Sequence, residues 1–280
     1  MSCVHSEGTI TSEWMSSISG NNDKGEQSMK AIYSVALVVA ATALLALSAP
    51  AYASKMDDRI ESSAKKSYVF KTYLKEDDIK IESKKGAVTL TGIVASEYHK
   101  SLAQETMTGL PGVKSVDNRL EVKGAPPTAN SDDWLRDKVK ITLLFHRSVS
   151  AAKTEVDVKD GIVTLRGQAA SQAQKELTTE YARDVEGVKD VKNEMTVSHA
   201  SKKTLQAMGE KIDDASITAQ VKMALLLHRS TSALSTTVAT KHGVVTVGGK
   251  ARNTAEKDLV GKLVEDINGV KSVRNGMIIE

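Results

Sequence analysis

The chain has 280 residues, of which 26% are charged and 40% hydrophobic, an ordinary globular balance that excludes a disordered or fibrous class. Aromatic residues make up only 4%, so cores must come from Val, Ile, Leu and Ala, and few rings are left to stack on bases or sugars. The formal charge of +3 is a mild basic bias that favours anionic surfaces without demanding a nucleic-acid partner, and none is expected.

In chain order, the first signal is a targeting segment. Met29 and Lys30 precede an apolar run from Ala31 to Ala49, and Ala51 and Ala53 supply the small residues of a cleavage site before Ser54. Residues 29–53 therefore read as a signal peptide, with an uncleaved anchor as the alternative, because the run approaches a bilayer span. Residues 1–28 carry Glu7, Glu13, Asp23 and Glu26 against Lys24, the wrong charge for a leader, and read as an upstream extension. Removing both segments discards the only cysteine, Cys3, and leaves 36 basic and 31 acidic residues.

Beyond Ser54 the chain repeats. Gly86, Gly161 and Gly243 each precede a second glycine (Gly92, Gly167, Gly249), then a third (Gly112, Gly187, Gly269) and an asparagine (Asn118, Asn193, Asn275) at the same spacings. Asp58, Asp133 and Asp214 mark the upstream end of each copy, which requires one extra residue in the third copy before His228. The modules span 54–123, 131–198 and 212–280. A Pro-containing linker at 124–130 separates the first two, and residues 199–211, with Leu205 and Met208 in helical register, either link or extend the next helix.

Each module opens with a helix whose stripe is Ile60, Ala64 and Tyr68, then Leu135, Val139 and Leu143, then Ile217, Val221 and Leu225. Alternating residues around Lys85-Gly86, Asp160-Gly161 and His242-Gly243 predict a β-hairpin. Ser96, Ser171 and Asn253 are N-caps of a second helix, with Gln174 and Glu256 completing capping boxes. Gly112, Gly187 and Gly269 are expected to end that helix in the left-handed cap position. A last alternating strand follows. The fold class is α+β: three tandem α-β-β-α-β modules, each with two helices on one face of a three-stranded mixed sheet.

These modules resemble the BON domain, named for bacterial osmotically inducible and nodulation proteins. The likeness rests on the opening aspartate, on DGIVTLRG at 160–167 and on VEGVKDVKNEM at 185–195. KGAVTLTG with LPGVKSVDNRL and HGVVTVGG with INGVKSVRNGM repeat these in the first and third copies. The first copy departs most, lacking the Leu-Leu pair and the histidine. The resemblance implies a non-enzymatic periplasmic protein, tied to osmotic stress and envelope maintenance, that associates with anionic phospholipid surfaces. The alternative is a holdase chaperone or interaction scaffold for unfolded exported polypeptides.

No catalytic, cofactor or metal residues are assigned: no two mature histidines have helical metal spacing, and neither a nucleophile elbow nor a phosphate loop occurs. The recurrent polar feature is His146-Arg147-Ser148 and its repeat His228-Arg229-Ser230 at the end of helix one. Such cations either cap the carbonyl end of that helix or reach lipid phosphate, with Lys71 and Lys75 beside them in the first copy. Trp134 lies off the main stripe; its indole suits a membrane interface or packs on the Pro126-Pro127 linker or a neighbouring copy. The candidate lipid or anion contacts are thus Trp134, His146, Arg147, His228, Arg229, Lys71 and Lys75. Weak sites on three copies would act together through effective concentration. The oligomeric state is not encoded in any of these signals.

Overall fold

The computed structural model describes residues 54–124, 131–198, 211–231 and 236–280. The expected upstream extension, signal peptide and most of both linkers lie outside the described residues. In the first module, helix α1 (54–66) and short α2 (Tyr68–Thr72) precede strands β1 (Asp78–Lys84) and β2 (Ala87–Val94), helix α3 (Glu97–Thr108) and strand β3 (Ser115–Val122). The second holds α4 (Asp132–Phe145), β4 (Thr154–Lys159), β5 (Ile162–Ala169), α5 (Gln172–Arg183), β6 (Asp190–Asn193) and β7 (Thr196–Val197). The third holds α6 (Asp214–Leu227), β8 (Thr236–Lys241), β9 (Val244–Ala251), α7 (Thr254–Glu265), β10 (Ser272–Asn275) and β11 (Ile278–Ile279).

In every module the hairpin strands pair antiparallel and the last strand returns parallel to the second, which therefore sits in the middle. The parallel return needs a helical crossover, and α3, α5 and α7 supply it. Val88 and Leu90, Val163 and Leu165, and Val245 and Val247 point from these central strands into the core and are fully buried. The recurrent asparagine ties the crossover down. Asn118, Asn193 and Asn275 donate to the helix carbonyls of Lys100, Lys175 and Lys257 at 3.1, 2.9 and 2.6 Å. Their side-chain oxygens accept from the N–H two residues on, at 3.2, 2.9 and 3.2 Å.

The N-caps form as expected: Ser96, Ser171 and Asn253 accept from His99, Gln174 and Glu256 N–H. Gln174 and Glu256 reach back to the N–H of Ala170 and Arg252 at 2.8 and 2.6 Å. In the first module Asp77 takes that role, accepting from Ala95 N–H at 2.8 Å while pairing with His99 at 2.6 Å.

Three expectations are corrected. Gly112, Gly187 and Gly269 do have positive φ, but the helices have already ended at Thr108, Arg183 and Glu265, so these glycines shape the later turn into the last strand. Tyr68 does not continue the first stripe on one helix, because the Ser67 hydroxyl donates to Ala64 O at 2.8 Å and accepts from Phe70 N–H, ending α1 and restarting the chain as α2. The aspartates that correspond are Asp57, Asp132 and Asp214, each 29 residues before its turn glycine. The third copy has no insertion.

Those aspartates clamp the hairpin. Lys85, Asp160 and His242 adopt φ near +55° with a positive-φ glycine next, as a two-residue turn of primed type requires. Their N–H groups and those of the following glycines point outward, and one carboxylate in each module accepts both at 2.7 to 2.9 Å. These turn hydrogen bonds, led by Gly86 and Gly161 N–H, hold Asp57 and Asp132 below the usual carboxylate range. Their contribution is present above the unfolded value of about 3.9 and is lost as pH falls through the lower folded value. In thermal unfolding of the full chain from about pH 6 to about pH 2.5, an Asp57→Asn/Asp132→Asn variant should lose less midpoint than the parent. An identical acid loss would remove the clamp as a source of stability.

Candidate functional site

Helix α6 organises the packing around the expected site residues. Ten of its fourteen residues are buried, including Ile217, Ala219, Val221, Met223, Leu225 and Leu227. A helix whose apolar surface extends well beyond one stripe needs cover from more than its own sheet. The first and second modules provide it, and one continuous core runs through the first and third modules and takes in Ile141 and Phe145 of the second. Asp213 accepts from Ser216 N–H of its own helix at 2.9 Å and from Tyr68 N–H of the first module at 2.8 Å. Ser216 accepts from Val69 N–H at 3.1 Å, and the Tyr73 hydroxyl lies 3.1 Å from Gln220 Oε1 and from Leu144 O. Lys222 pairs with Glu105 at 2.7 Å.

The two His-Arg-Ser motifs meet in the seam between the second and third modules, and they do so reciprocally. At His146 the backbone leaves α4 extended and bridges antiparallel to Ile267; at His228 it leaves α6 extended and bridges to Val185. Arg147 N–H donates to Asp266 O at 3.0 Å, and Arg229 N–H to Asp184 O at 2.9 Å. In return Asn268 N–H donates to Phe145 O at 2.9 Å and Glu186 N–H to Leu227 O at 3.2 Å. The contact is isologous, as in a twofold dimer, but within one chain.

The guanidiniums complete it. Arg147 donates to Glu265 O at 2.6 Å and Val270 O at 3.1 Å, at the end of α7. Arg229 donates to Val188 O at 2.9 Å, Val185 O at 3.1 Å and Arg183 O, at the end of α5. Each satisfies carbonyls that a helix end leaves unpaired and places positive charge at its negative pole. The helix capped belongs to the partner module's second helix, whereas the sequence suggested the motif's own first helix.

At the centre, His146 stacks on Tyr181 at 3.7 Å and 12°, with Nδ1 3.4 Å from Asp266. Asp266 accepts from the Tyr181 hydroxyl at 2.6 Å and from the Ser148 hydroxyl. Burial pushes its carboxyl up, but the adjacent His146 and hydrogen bonds from Ser148 and Tyr181 outweigh this and leave it below the usual range. His228 Nδ1 accepts from Ser230 N–H at 3.1 Å, which leaves the ring proton on Nε2, 3.6 Å from Asp184. Burial lowers its proton affinity against the opposing pull of Asp184, and His146 and Arg229 lower it further.

The structure thus engages four candidate contacts in the seam, with Arg147 and Arg229 still exposed at its edge. His146 is 2% exposed, beyond reach of an external headgroup, and the arginines are held by carbonyls. Trp134 is half-buried, tilted on Tyr98 of the first module at 6.1 Å, with Lys138 Nζ 4.7 Å from its ring, which is the neighbouring-copy packing. Lys71 and Lys75 stand exposed, Lys75 paired with Glu76 at 3.6 Å. Sequence reading missed Tyr181, Asp184 and Asp266. A signal existed: aspartate three residues before the third glycine occurs only in the second and third copies, the same two that carry His-Arg-Ser. Chemically the cluster is a clamp. Among the described residues, no group of His, Cys, Asp and Glu is disposed to hold a metal ion.

Two measurements test the clamp. Arg147→Ala and Arg229→Ala should each lower stability of the full chain by roughly 1–3 kcal/mol, the range for charged hydrogen bonds, in urea unfolding; losses near zero would make the arginines ornamental. Because the folded state favours neutral His228, its contribution is full above the unfolded value of about 6.5 and falls as pH drops below it. The urea midpoint should therefore fall between about pH 7.5 and about pH 5, and His228→Gln should flatten that slope. An equally steep slope in the variant would clear His228 of the effect.

Comparison with known proteins agrees with this architecture. The family model described as BON domain matches residues 56–124, 131–199 and 213–280. Osmotically-inducible protein Y of Escherichia coli K12 is 29% identical over 201 residues, spanning 71% of this chain and 96% of its own. Two solved structures of CdsD, a structural protein of the type III secretion system of Chlamydia trachomatis, are 16% identical over 76% of this chain. They are covered over 95% and 90% of their own lengths, with TM-scores of 0.22, too low to imply a shared overall fold. Three family matches together take in most of the sequence, and the chain belongs to the BON domain family.

Proposed function

We propose that this chain is an exported, periplasmic, non-enzymatic protein of osmotic-stress response that maintains the envelope by holding to anionic phospholipid surfaces. The stress context is supported by BON membership and by the likeness to an osmotically inducible relative. The lipid reading rests on one observation. With the His-Arg-Ser motifs committed to the seam, exposed cations remain along the first helices of the first module, where Lys65, Lys66, Lys71 and Lys75 all face solvent, Lys75 beside Glu76. Cations near an anionic leaflet each contribute about 1 kcal/mol of attraction, and the effect fades beyond about a Debye length. Among the described residues no helix is long and apolar enough to cross a membrane.

A second reading, a holdase for unfolded exported polypeptides, has its own support. A groove of about 280 Å³ between α3 and α6 is lined by Ser101, Gln104, Glu105, Lys222, Met223 and the half-exposed Leu226. It joins two modules around an apolar floor, as a weak peptide site would.

Flotation with vesicles separates the two. The processed full chain should rise with vesicles containing phosphatidylglycerol, not with phosphatidylcholine alone, and should be released as salt rises from about 50 mM to about 500 mM. Absence of co-flotation, with suppression of client aggregation in lipid-free buffer, would replace the lipid reading with the holdase.

A further inference from the structure

We infer that the outer face of the third module's sheet, carrying Lys241 and Arg274, is the surface that meets the anionic bilayer. The inference rests on the lipid reading above but places the main contact on this face rather than on the first module's lysines.

The helices cover one face of each sheet, so the opposite faces look outward and can be compared rung by rung. On the second module that face carries Glu155, Asp157 and Lys159 on β4, Thr164 and Arg166 on β5, and Asp190, Lys192 and Glu194 on β6 and just beyond it. Its charges cancel locally: Arg166 binds Asp157 at 2.6 Å and Glu194 at 2.9 Å. The matching positions on the third module are Thr237, Ala239, Lys241, Thr246, Gly248, Ser272, Arg274 and Gly276. All four carboxylates are gone, replaced by Thr, Ala, Ser and Gly. Two of the three cations remain at their positions, as Lys241 and Arg274. The first module keeps mixed charge at the same places, with Lys80, Glu82, Lys84, Asp117 and Arg119.

Lys241 and Arg274 are both exposed, and neither forms an ion pair among the described residues. They rim a shallow depression of about 350 Å³ with His242, over a floor of Ala239, Val244 and Thr246. Lys250 lies further along the same face, paired with Glu280. Its rung partner Ile278 is 62% exposed and apolar. A flat, small-residue floor, unneutralised cations and an exposed isoleucine are the complement of a headgroup layer, with phosphate at the cations and an apolar side chain at the acyl boundary. The third sheet alone has no carboxylate at these matched positions, which gives it a local field that the overall charge of +3 does not disclose.

The test uses the processed full chain, vesicles of phosphatidylcholine with about 30% phosphatidylglycerol, and a matched control. Lys241→Glu/Arg274→Glu should weaken partitioning about tenfold or more, while Lys159→Glu/Lys192→Glu on the second module's face should change it less than about twofold. Thermal midpoints should stay level, since all four residues are exposed, and Lys241→Gln/Arg274→Gln serves if the reversal disturbs folding. Equal losses in both variants would show general charge attraction and overturn the assignment. Parent-like binding by the third-module variant would overturn the location while the lipid reading stands. No binding by the parent would fell both, and tight binding to heparin without vesicle binding would give the face to a soluble polyanion instead.

Discussion

Helix α6 keeps only a narrow strip of Asp214, Thr218, Lys222 and Leu226 out of the core, and the rest of the molecule is arranged around that fact. A soluble helix ordinarily keeps a polar face for water and an apolar stripe for its sheet. In α6 the stripe of Ile217, Val221 and Leu225 faces its own module, yet Ala215, Ala219, Met223 and Leu227 are buried as well. Even Ser216 and Gln220 are fully buried, and both are spent on the first module's Val69 and Tyr73. A third module standing alone would expose that surface. The three copies are therefore parts of one body, and the first module's short α2 begins against the N-terminus of α6, where Asp213 accepts from Tyr68 N–H.

Once α6 is enclosed, its end must be dealt with, and the seam shows how a repeat solves this economically. Two modules with the same helix-one exit and the same helix-two end can satisfy each other symmetrically. Each exit strand offers a carbonyl, an N–H and a guanidinium, and each helix end offers an N–H and several unpaired carbonyls. The symmetry is broken at one place. Tyr181 stacks under His146, whereas the matching position in the third module is Leu263, so the two histidines live in different surroundings although Arg-Ser follows both. The first module, lacking both His-Arg-Ser and the helix-end aspartate, cannot enter such a pair and docks by its tyrosines instead.

Local features were legible in the sequence because short-range physics fixes them. Caps at Ser96, Ser171 and Asn253, hairpins at the glycine pairs and the alternation of the central strands each need only a few neighbouring residues. The aspartate register went astray for an equally local reason: each copy carries two adjacent aspartates, and matching by order pairs Asp133 with Asp214, whereas Asp213 is the N-cap that stands where the second copy has Ser131. What stayed hidden was association between copies. A periodicity argument assigns Ile217, Val221 and Leu225 to a stripe and is satisfied. The surplus apolar residues on the other sides of α6 were visible, but they signal burial only when the question is asked of the whole helix.

The same logic separates kinds of difference among the copies. Where the second and third agree and the first departs, as at His-Arg-Ser and Asp184 with Asp266, the shared residues serve the contact between those two. Where one copy alone departs on a face that no other module covers, packing gives no reason for the change. The third sheet is of that second kind: it has no carboxylate at these outer-face positions, where the first copy has Glu82 and Asp117 and the second has Glu155, Asp157, Asp190 and Glu194. Fusion also changes what repetition can do. Modules on flexible linkers gain avidity by searching independently. Modules locked around α6 cannot, so a charge pattern unique to one sheet sets a single orientation of the whole body toward whatever it meets.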